Sequence, residues 1–322
     1  MNLDLTIVKK IKERLKRAQN IVVVSHIRPD GDAIGSMLGF GLAIKDQGKN
    51  VQMVITDGIP INFRYLPGSQ FVRYKVKGTY DLLVVLDSSD FKRMGEVIEE
   101  TRPPDINIDH HVTNENFADI NLVVPDAAST AEILARLIPE LGFGISKQVA
   151  ENLLTGIITD TIGFRTSNMS PDVLRLSADL MEYGVNLSDI YMKALNQKSF
   201  EAIRFWGAGL SRIERQGEMV WTTLTMADRV SVGYPGRDDA DLINLLSTIE
   251  GSSVHLIFVE QPNEKIKISW RCMPGYDVAK VAGLYGGGGH HAAAGAEVVG
   301  DLLTVCKDVI QTTYKLLFIN NN

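Results

Sequence analysis

The sequence predicts an α/β protein with two domains, a first domain built on a parallel sheet and a smaller second α/β domain. Short β-branched runs alternate with helical patterns over the first part of the chain, as in parallel strands joined by crossover helices. Longer strand-like runs dominate after about residue 206. A chain of 322 residues with 45% hydrophobic content is long enough for about two buried cores.

The first domain is expected over residues 1–186. Four apolar residues recur at helical spacing near the N-terminus: Leu5, Val8, Ile11 and Leu15. They predict a helix over 5–18. The β-branched run Ile21–Val24 is typical of a buried parallel strand. The elements expected next are a helix at 33–46, strands at 51–55, 82–86 and 106–108, a helix at 130–141, and a helix from about 147 into the segment GIITD.

A helical connector at 187–205 is expected to lead into the second domain, over residues 206–322. The runs MVWTTLTM, VHLIFVE and KIKISWR predict strands at 219–226, 254–260 and 265–271. A helix at 276–285 should follow, and then the glycine-rich segment GGGGHHAAAGA. His255 lies in an alternating strand pattern and is expected to be a structural residue.

The composition indicates a mildly acidic globular protein. The net charge is −6, which argues against a partner such as a long nucleic-acid duplex but allows a pocket for a short anionic substrate. Cys272 and Cys306 lack metal-type spacing, so reduced thiols are expected. The N-terminal stretch lacks a signal-peptide core, and no run approaches the ~18–20 apolar residues of a membrane span. We therefore expect a cytoplasmic protein without a membrane partner.

Acidic and imidazole side chains follow four apolar runs of the first domain. The stretch HIRPDGDAIG places three of them after the strand IVVV: His26, Asp30 and Asp32. The other runs lead to Asp87, to the tripeptide Asp109, His110 and His111, and to Asp160. In an open α/β sheet the ligand crevice lies outside the carboxyl ends of the strands, so these groups should converge.

The local conformation of HIRPDGDAIG is predicted from its spacing. In an extended loop, Asp30 and Asp32 would share a side and could reach adjacent metal ions. Gly31 and Gly35 would let the backbone bend tightly around them.

Each of these residues also has a purely structural interpretation. An Asp after a strand is often a helix N-cap, which applies to Asp87, Asp30 and Asp32. A lone His110 would more often be a core or supporting residue, and Asp160 alone carries little weight. Capping needs one acid for each helix, however, and here a histidine with two acids faces three further clusters. The joint pattern therefore favours a metal site.

Carboxylates and imidazoles without thiolates suit Mn²⁺, Mg²⁺, Fe²⁺ or Zn²⁺, and two or more histidines shift the preference toward a transition metal such as Mn²⁺. Five or six ligands exceed what one ion with open positions needs, so two ions that share a carboxylate are expected. Two-metal hydrolytic sites hold their ions roughly 3.5–4 Å apart and activate a water for in-line attack on phosphorus. The pattern therefore predicts phosphoryl-transfer chemistry.

The same motifs match a known family. The segments HIRPDGDAIGS, LDSSD, DHH (109–111) and GIITDTIGF resemble the four motifs of the DHH phosphoesterase superfamily. The segments ISWR (268–271) and GGGGHHAAAG (286–295) resemble its associated DHHA1 domain. The resemblance spans nearly the whole chain in the right order. It implies a parallel-sheet DHH domain followed by a DHHA1 domain.

By this resemblance, two metal ions would share the carboxylate of Asp87. The ligands of one ion would be His26, Asp30 and Asp87, and those of the other would be Asp32, Asp87, His110 and Asp160. His111 would face the scissile phosphate as an acid or electrostatic partner, and Asp109 would orient the imidazoles. The expected metal is Mn²⁺, with Mg²⁺, Co²⁺ and Fe²⁺ as alternatives. No expected ligand is missing, which argues against a non-catalytic member.

The second domain is expected to bind the far end of the substrate. Consecutive glycines let the backbone approach a ligand, and their amides can cradle an anion. An arginine suits bidentate phosphate binding. The resemblance assigns substrate binding to Arg271, Gly287, Gly288, Gly289 and His290. The glycine run could equally be a flexible turn.

The two-domain arrangement resembles the stand-alone nanoRNase and 3′-phosphoadenosine 5′-phosphate (pAp) phosphatase group. It implies a metal-dependent phosphoesterase that hydrolyses short oligonucleotides, pAp or both by in-line attack of a metal-bridging hydroxide. A cyclic-dinucleotide or linear dinucleotide (pApA or pGpG) phosphodiesterase is the alternative enzyme. A nucleotide-binding regulatory module without turnover is the alternative of another class. The oligomeric state is left open, with a homodimer as one expectation.

Overall fold

The computed structural model describes residues 3–97 and 103–319. The chain divides into two compact units, Met1–Gln197 and Lys198–Asn322. The predicted fold class is confirmed, because the first unit contains a five-stranded parallel sheet and the second a separate six-stranded mixed sheet. Within the described ranges, no helix combines the length and the apolar character that a bilayer crossing requires.

The first unit alternates strands with helices. Its elements are α1 (Leu5–Arg17), β1 (Asn20–Val24), α2 (Gly31–Lys45), β2 (Asn50–Val54), β3 (Leu82–Leu86), β4 (Ile106–Asp109), β5 (Ile120–Val123), α3 (Thr130–Glu140), α4 (Lys147–Asp160), α5 (Pro171–Glu182) and α6 (Leu187–Ile190). A π-helical turn, Tyr191–Asn196, follows α6. The strand order is β2-β1-β3-β4-β5, with every neighbouring pair parallel. All carboxyl ends therefore lie at one edge of the sheet.

Both faces of this sheet are covered. Along β1, Ile21 and Val23 belong to the main core with residues of α1 to α4. Val22 and Val24 point the opposite way and pack in a second cluster with Met94. Burial on both faces explains why residues 21–24 of β1 and all of β3 are apolar, without polar alternation.

The start of α2 corrects the predicted geometry of HIRPDGDAIG. The helix begins at Gly31, and Asp30 is its N-cap, since Asp30 Oδ1 accepts from the amides of Asp32 and Ala33. Asp32 therefore lies in the first helical turn, and the prediction of an extended loop through Asp30 and Asp32 is wrong. Aspartate is a favoured N-cap residue, because its carboxylate accepts hydrogen bonds from backbone amides that have no partner within the helix. This preference starts the helix at Gly31.

The expected role of Gly31 and Gly35 as bends is also wrong. Both are helical residues of α2, and each lies against α4. A Cβ at Gly35 would lie 2.5 Å from the carbonyl oxygen of Asn152, and one at Gly31 would lie 2.3 Å from Thr159 Oγ1. These glycines let α2 and α4 approach closely, which brings the end of α4 next to the start of α2.

The second unit combines short helices with a mixed sheet. Its elements are α7 (Phe200–Leu210), β6 (Glu214–Gln216), β7 (Met219–Leu224), α8 (Met226–Val232), α9 (Leu242–Leu246), β8 (Val254–Gln261), β9 (Lys265–Cys272), α10 (Val278–Leu284), β10 (Gly288–His290), β11 (Ala293–Val299) and α11 (Leu302–Tyr314). A π-helical segment, Lys315–Ile319, follows α11. The strand order is β10-β11-β9-β8-β7-β6. His255 is fully buried in β8 beside Ser252 Oγ, in agreement with a structural role.

Candidate metal centre

The acidic and imidazole residues predicted from the sequence converge at the carboxyl edge of the first sheet. His26 follows β1, Asp87 follows β3, and the DHH tripeptide lies at the end of β4. Asp160 is the last residue of α4 rather than a residue at a strand end. The cluster is thus built by three strand ends, the start of α2 and the end of α4.

His26 presents one nitrogen to two carboxylates. Its Nδ1 lies 2.8 Å from the carbonyl oxygen of Ile27, and because a carbonyl can only accept, Nδ1 carries the hydrogen. Nε2 is then left with a lone pair, and it lies 3.6 Å from Asp87 Oδ2 and 3.9 Å from Asp30 Oδ2. This buried Nε2 has no hydrogen-bond partner within the described residues. A cation between these three groups would satisfy it.

Asp87 lies at the centre of the cluster. Its backbone adopts φ +56°, a left-handed conformation that few residues other than glycine, asparagine and aspartate favour. It is not the N-cap of any helix in the described part of the chain. Thr130 Oγ1 donates to Asp87 Oδ1 at 2.9 Å, and His110 Nε2 lies 3.8 Å from the same oxygen. Asp87 thereby faces both sides of the cluster.

Asp32 is held by the start of α3. Its Oδ2 accepts from the amide of Thr130 at 2.7 Å, and its Oδ1 accepts from the amide of Ala131 at 2.9 Å and from Ser36 Oγ at 3.2 Å. Neither Thr130 nor Ala131 was predicted to be a site residue. The segment STAE at 129–132 has the spacing of a capping box and marks a helix N-terminus. The local sequence does not show that this helix end lies next to Asp32, because that position depends on tertiary packing.

His110 and Asp160 face each other. His110 Nε2 lies 3.6 Å from Asp160 Oδ2, and His110 Nδ1 lies 3.3 Å from the carbonyl oxygen of Ala127. Asp160 keeps 29% of its side chain exposed, whereas Asp87 is almost fully buried. The outer part of the cluster is therefore the part that solvent reaches.

Asp109 and His111 form a separate pair beside Asp87. His111 Nδ1 lies 2.7 Å from Asp109 Oδ1, and Asn114 Nδ2 donates to Asp109 Oδ2 at 2.6 Å. The same Asn114 amide contacts Asn107 Oδ1 at 2.8 Å. Both oxygens of Asp109 are thus engaged, which fits an orienting role better than a metal ligand. Asn107 and Asn114 were not predicted, since isolated asparagines near a motif carry no distinctive pattern.

The carboxyl groups shift one another's pKa values. Burial raises the pKa of Asp32 well above its usual value, and the charges of Asp87 and Asp160 raise it further. Burial also raises the pKa of Asp160 to about 7, together with the charges of Asp30 and Asp87 and against that of His110. Near neutral pH these carboxyl groups therefore tend to hold protons, which a divalent ion would displace.

The imidazole of His110 also binds its proton more tightly than usual. Burial lowers the pKa of His110, but the charges of Asp160 and Asp87 outweigh this and raise it to about 9. Burial would raise the pKa of Asp87, but the imidazoles of His26, His111 and His110 hold it well below its usual range. In the absence of metal, protons on the histidines thus provide part of the positive charge that the cluster requires.

These shifts predict a falling stability of the metal-free protein with rising pH. His110 has a raised folded pKa, so its contribution is complete below pH 6.5 and is lost as the pH rises through about 9. Asp160 binds its proton more tightly when folded, and its contribution is lost as the pH rises through about 7. Denaturant unfolding in EDTA should therefore show a smaller free energy of unfolding at pH 9 than at pH 6.5. A His110→Asn variant should lose part of this slope, and a stability that rises across this window would contradict the prediction.

The residues fit a site for divalent metal. Within the first unit, three groups have ligand atoms within 4.8 Å of one another, and all three include Asp87. The groups are His26, Asp30 and Asp87; Asp32, Asp87 and His110; and Asp87, Asp109 and His111. Ligands that combine carboxylates and imidazoles suit Mn²⁺, Fe²⁺ and Zn²⁺ as well as Mg²⁺. Together with the buried Nε2 of His26, this indicates a site built for a cation.

In the second unit, the predicted substrate residues lie on two strands of one sheet. Arg271 in β9 and His290 in β10 are both paired in register with Ala293 of β11. Residues directly opposite each other on neighbouring strands share a face, so Arg271 and His290 lie on the same face, about 10 Å apart. This face presents two groups that can bind an anion.

The glycine run is more constrained than a free anion-binding loop. The amide of Gly287 donates to the carbonyl oxygen of Ala282 at 2.9 Å, so it is not available to an anion. A Cβ at Gly287 would lie 2.1 Å from the carbonyl oxygen of Gly295. Gly288 and Gly289 belong to β10, the edge strand of the sheet. The glycines thus permit a close strand pairing, and this packing role was not predicted.

Comparisons with known proteins agree with the motifs. The model of the DHH family, N-terminal domain, matches residues 20–157, and that of the DHHA1 domain matches residues 229–315. The chain is 35% identical over 293 residues to "Bifunctional oligoribonuclease and PAP phosphatase NrnA" of Thermus thermophilus, covering 90% of this chain and 88% of that protein. It is 26% identical over 308 residues to the protein of the same name in Bacillus subtilis, and the match covers 89% of this chain and 95% of that protein.

A solved structure extends the similarity to the fold. The crystal structure of an exopolyphosphatase-related protein from Bacteroides fragilis superposes with a TM-score of 0.90 at 28% identity and covers 97% of both chains. The resemblance inferred from the motifs is therefore confirmed. This chain belongs to the DHH family, with a DHHA1 domain in its second unit.

Proposed function

We propose that this protein is a metal-dependent phosphoester hydrolase that cleaves short oligoribonucleotides and removes phosphate from pAp. The observation that carries the proposal is the position of Asp87, which is shared by groups of ligand atoms on either side of it. The similarity to proteins named oligoribonuclease and PAP phosphatase supports this choice of substrates.

The cluster is assigned to two Mn²⁺ ions. His26, Asp30 and Asp87 would hold one ion, and the second ion would be held by Asp32, Asp87, His110 and Asp160. Bound divalent ions supply Lewis acidity, neutralise phosphate oxygens and make a water nucleophilic near neutral pH. The hydrogen bonds from the amides of Thr130 and Ala131 keep Asp32 in a fixed orientation for this role.

His111 is assigned to the leaving oxygen of the substrate. A water oxygen forms the new bond to phosphorus, the bond to the sugar oxygen breaks, and that oxygen takes up a proton. His111 Nδ1 is engaged with Asp109, so Nε2 is the nitrogen that would hold this proton. The carboxylate of Asp109 fixes the orientation of this imidazole.

The second unit is assigned to the far end of the substrate. Arg271 and His290 would bind the terminal phosphate, with Gly288 and Gly289 allowing the ligand to approach the edge strand. Gly287 is assigned a packing role in keeping this strand close to β11. The limits 1–186, 187–205 and 206–322 are retained as the working domain limits.

Two alternatives are distinguished by substrate. A dinucleotide phosphodiesterase would cleave pApA or pGpG and leave pAp intact, and a regulatory module would bind nucleotides without turnover. The complete set of predicted ligands favours turnover. A cytoplasmic location, a homodimeric state and the exclusion of long duplexes stay predictions.

The experiment is a substrate panel with the full chain and Mn²⁺. We expect release of mononucleotide from pApA and of phosphate from pAp, and we expect both activities to disappear with EDTA and to return with added Mn²⁺. Mg²⁺, Co²⁺ and Fe²⁺ in parallel rank the metals. Activity on pApA without activity on pAp would favour the dinucleotide enzyme. The absence of turnover with every metal and substrate would overturn the proposal.

A further inference from the structure

A basic and aromatic strip lies outside the metal centre. The segment 58–80 contains four Lys or Arg residues and no Asp or Glu, although the chain carries a net charge of −6. The same segment contains five Phe or Tyr residues. We define the strip by the exposed basic and aromatic residues between positions 71 and 77 and two lysines near the end of α2: Lys45, Lys49, Phe71, Arg73, Tyr74, Lys75 and Lys77.

The strip runs beside β2, the edge strand of the first sheet. The amide of Arg73 donates to the Met53 carbonyl, and the amide of Ile55 donates to the Arg73 carbonyl, both at 2.9 Å. Gln52 holds Lys77 through its side chain, which accepts from the Lys77 amide and donates to the Lys77 carbonyl. These hydrogen bonds hold the backbone of the strip against β2. The charged side chains of Arg73, Lys75 and Lys77 are exposed to solvent.

An open cavity of about 350 Å³ lies at one side of the strip. Three cations line it: Lys45, Lys49 and Arg73. The amide side chains of Asn20, Asn50 and Gln52 also line it, and no carboxylate of the described residues does. Asp81 interacts electrostatically with Lys49, but its Oδ2 accepts from the amides of Gln19 and Asn20. Three cations around one cavity without a carboxylate suit a phosphate group.

The cations of the cavity are held in place by contacts of their own. Lys49 Nζ donates to the Ala18 carbonyl at 2.5 Å, and Arg73 Nη1 donates to Gln52 Oε1 at 3.2 Å. Lys45 Nζ lies 3.7 Å from the ring centroid of Phe71. These contacts reduce the side-chain entropy that binding an anion would cost.

Two aromatic rings of the strip are exposed. Phe71 is 46% exposed and Tyr74 is 65% exposed, although both could lower their free energy by packing. Gly58 has φ +71°, and a Cβ there would lie 2.7 Å from the Tyr74 ring, so Tyr74 rests on bare backbone. Exposed rings between cations form a stacking platform for unpaired bases.

Protection of an edge strand explains only part of this pattern. Lysines beside β2 would discourage pairing with another sheet edge. Such protection requires neither a cavity lined by cations nor exposed rings of Phe71 and Tyr74, which would favour association. The combination of charge and rings is typical of surfaces that bind single-stranded nucleic acid.

We infer that this strip is a second binding site, for a few nucleotides of single-stranded RNA. Phosphates would contact Lys45, Lys49 and Arg73 in the cavity and Lys75 and Lys77 beyond it, and bases would stack on Tyr74 and Phe71. The strip lies along β2 and the end of α2, whereas the metal centre takes its residues from the ends of β1, β3, β4 and α4 and from the start of α2. This site goes beyond the proposed hydrolysis and gives longer single strands an affinity that a dinucleotide lacks.

The test is equilibrium binding of the full chain in EDTA, where no hydrolysis complicates the measurement. Fluorescence anisotropy would compare a labelled octaadenylate RNA with pApA as competitor. We expect the octanucleotide to bind more tightly than pApA. Combining Arg73→Gln, Lys75→Gln and Lys77→Gln should reduce this advantage about tenfold or more and flatten the salt dependence of log K by about 2. The control combines Lys9→Gln, Lys10→Gln and Arg17→Gln, which removes three exposed cations of α1, and should change the advantage less than about twofold.

Stacking is tested at Tyr74. Tyr74→Ala should weaken octanucleotide binding by about fivefold or more, whereas Tyr74→Phe should bind like the wild type. Equal losses in the strip and α1 variants would show unspecific charge attraction and overturn the site, as would an unchanged advantage in the strip variant. Equal binding of a duplex of the same length, or of anionic vesicles, would also overturn it, because neither offers unpaired bases. None of these outcomes depends on turnover, so they are separable from failure of the proposed hydrolysis.

Discussion

Replacing Asp87 by asparagine is expected to lower the metal content below one ion per chain and to reduce turnover of pApA at least about a thousandfold. Asp87 has ligand atoms near both proposed metal positions, so the loss of its charge weakens both sites together. Metal ions supply several kcal/mol of transition-state stabilisation, and each 1.36 kcal/mol corresponds to a factor of ten in rate. The metal content per chain can be measured by inductively coupled plasma mass spectrometry after gel filtration.

Asparagine is the informative replacement because it isolates the charge. The backbone of Asp87 lies at φ +56°, where asparagine is tolerated and alanine is strained. The amide oxygen of asparagine can still accept from Thr130 Oγ1. The control is Asp90→Asn in the same loop, since Asp90 accepts from the Arg93 amide and Ser89 Oγ and lies outside the ligand groups. Near-normal metal content and activity in Asp87→Asn would contradict the bridging assignment.

The convergence of the metal centre could be predicted because it follows from the sheet. His26, Asp87 and His110 each follow a buried strand, and parallel strands end at one edge. Among the elements that were missed, three have weak local signals. β5 has four residues with a polar Asn121 in its middle, and α8 and α9 have seven and five residues, too few for a clear periodicity.

The orientation of Asp32 depends on tertiary contacts that no local pattern reveals. The amides of Thr130 and Ala131 that hold it are 98 and 99 residues away along the chain. Their position requires α3 to begin beside α2, and that in turn requires the close packing of α2 on α4 that Gly35 and Gly156 permit. The motifs therefore predict which residues lie close together in the fold. The orientation of the Asp32 carboxylate depends on how closely the glycines let the helices pack.

Replacing Asp109 by asparagine is expected to separate positioning from metal binding. The carboxylate accepts from His111 Nδ1 and from Asn114 Nδ2, which uses both oxygens. Asparagine has one acceptor oxygen, so its NH₂ group must face one of these two donors. His111 also loses the negative charge beside it. We expect kcat for pApA to fall by about 10² to 10⁴, the usual contribution of a general acid, with little change in KM.

The metal content distinguishes this role from that of a metal ligand. The metal content should stay close to that of the wild type, unlike in Asp87→Asn. Asp119→Asn removes the same charge from an exposed position near Arg14 and should leave kcat unchanged. Loss of metal in Asp109→Asn would instead make Asp109 a ligand, and an unchanged kcat would contradict the positioning role.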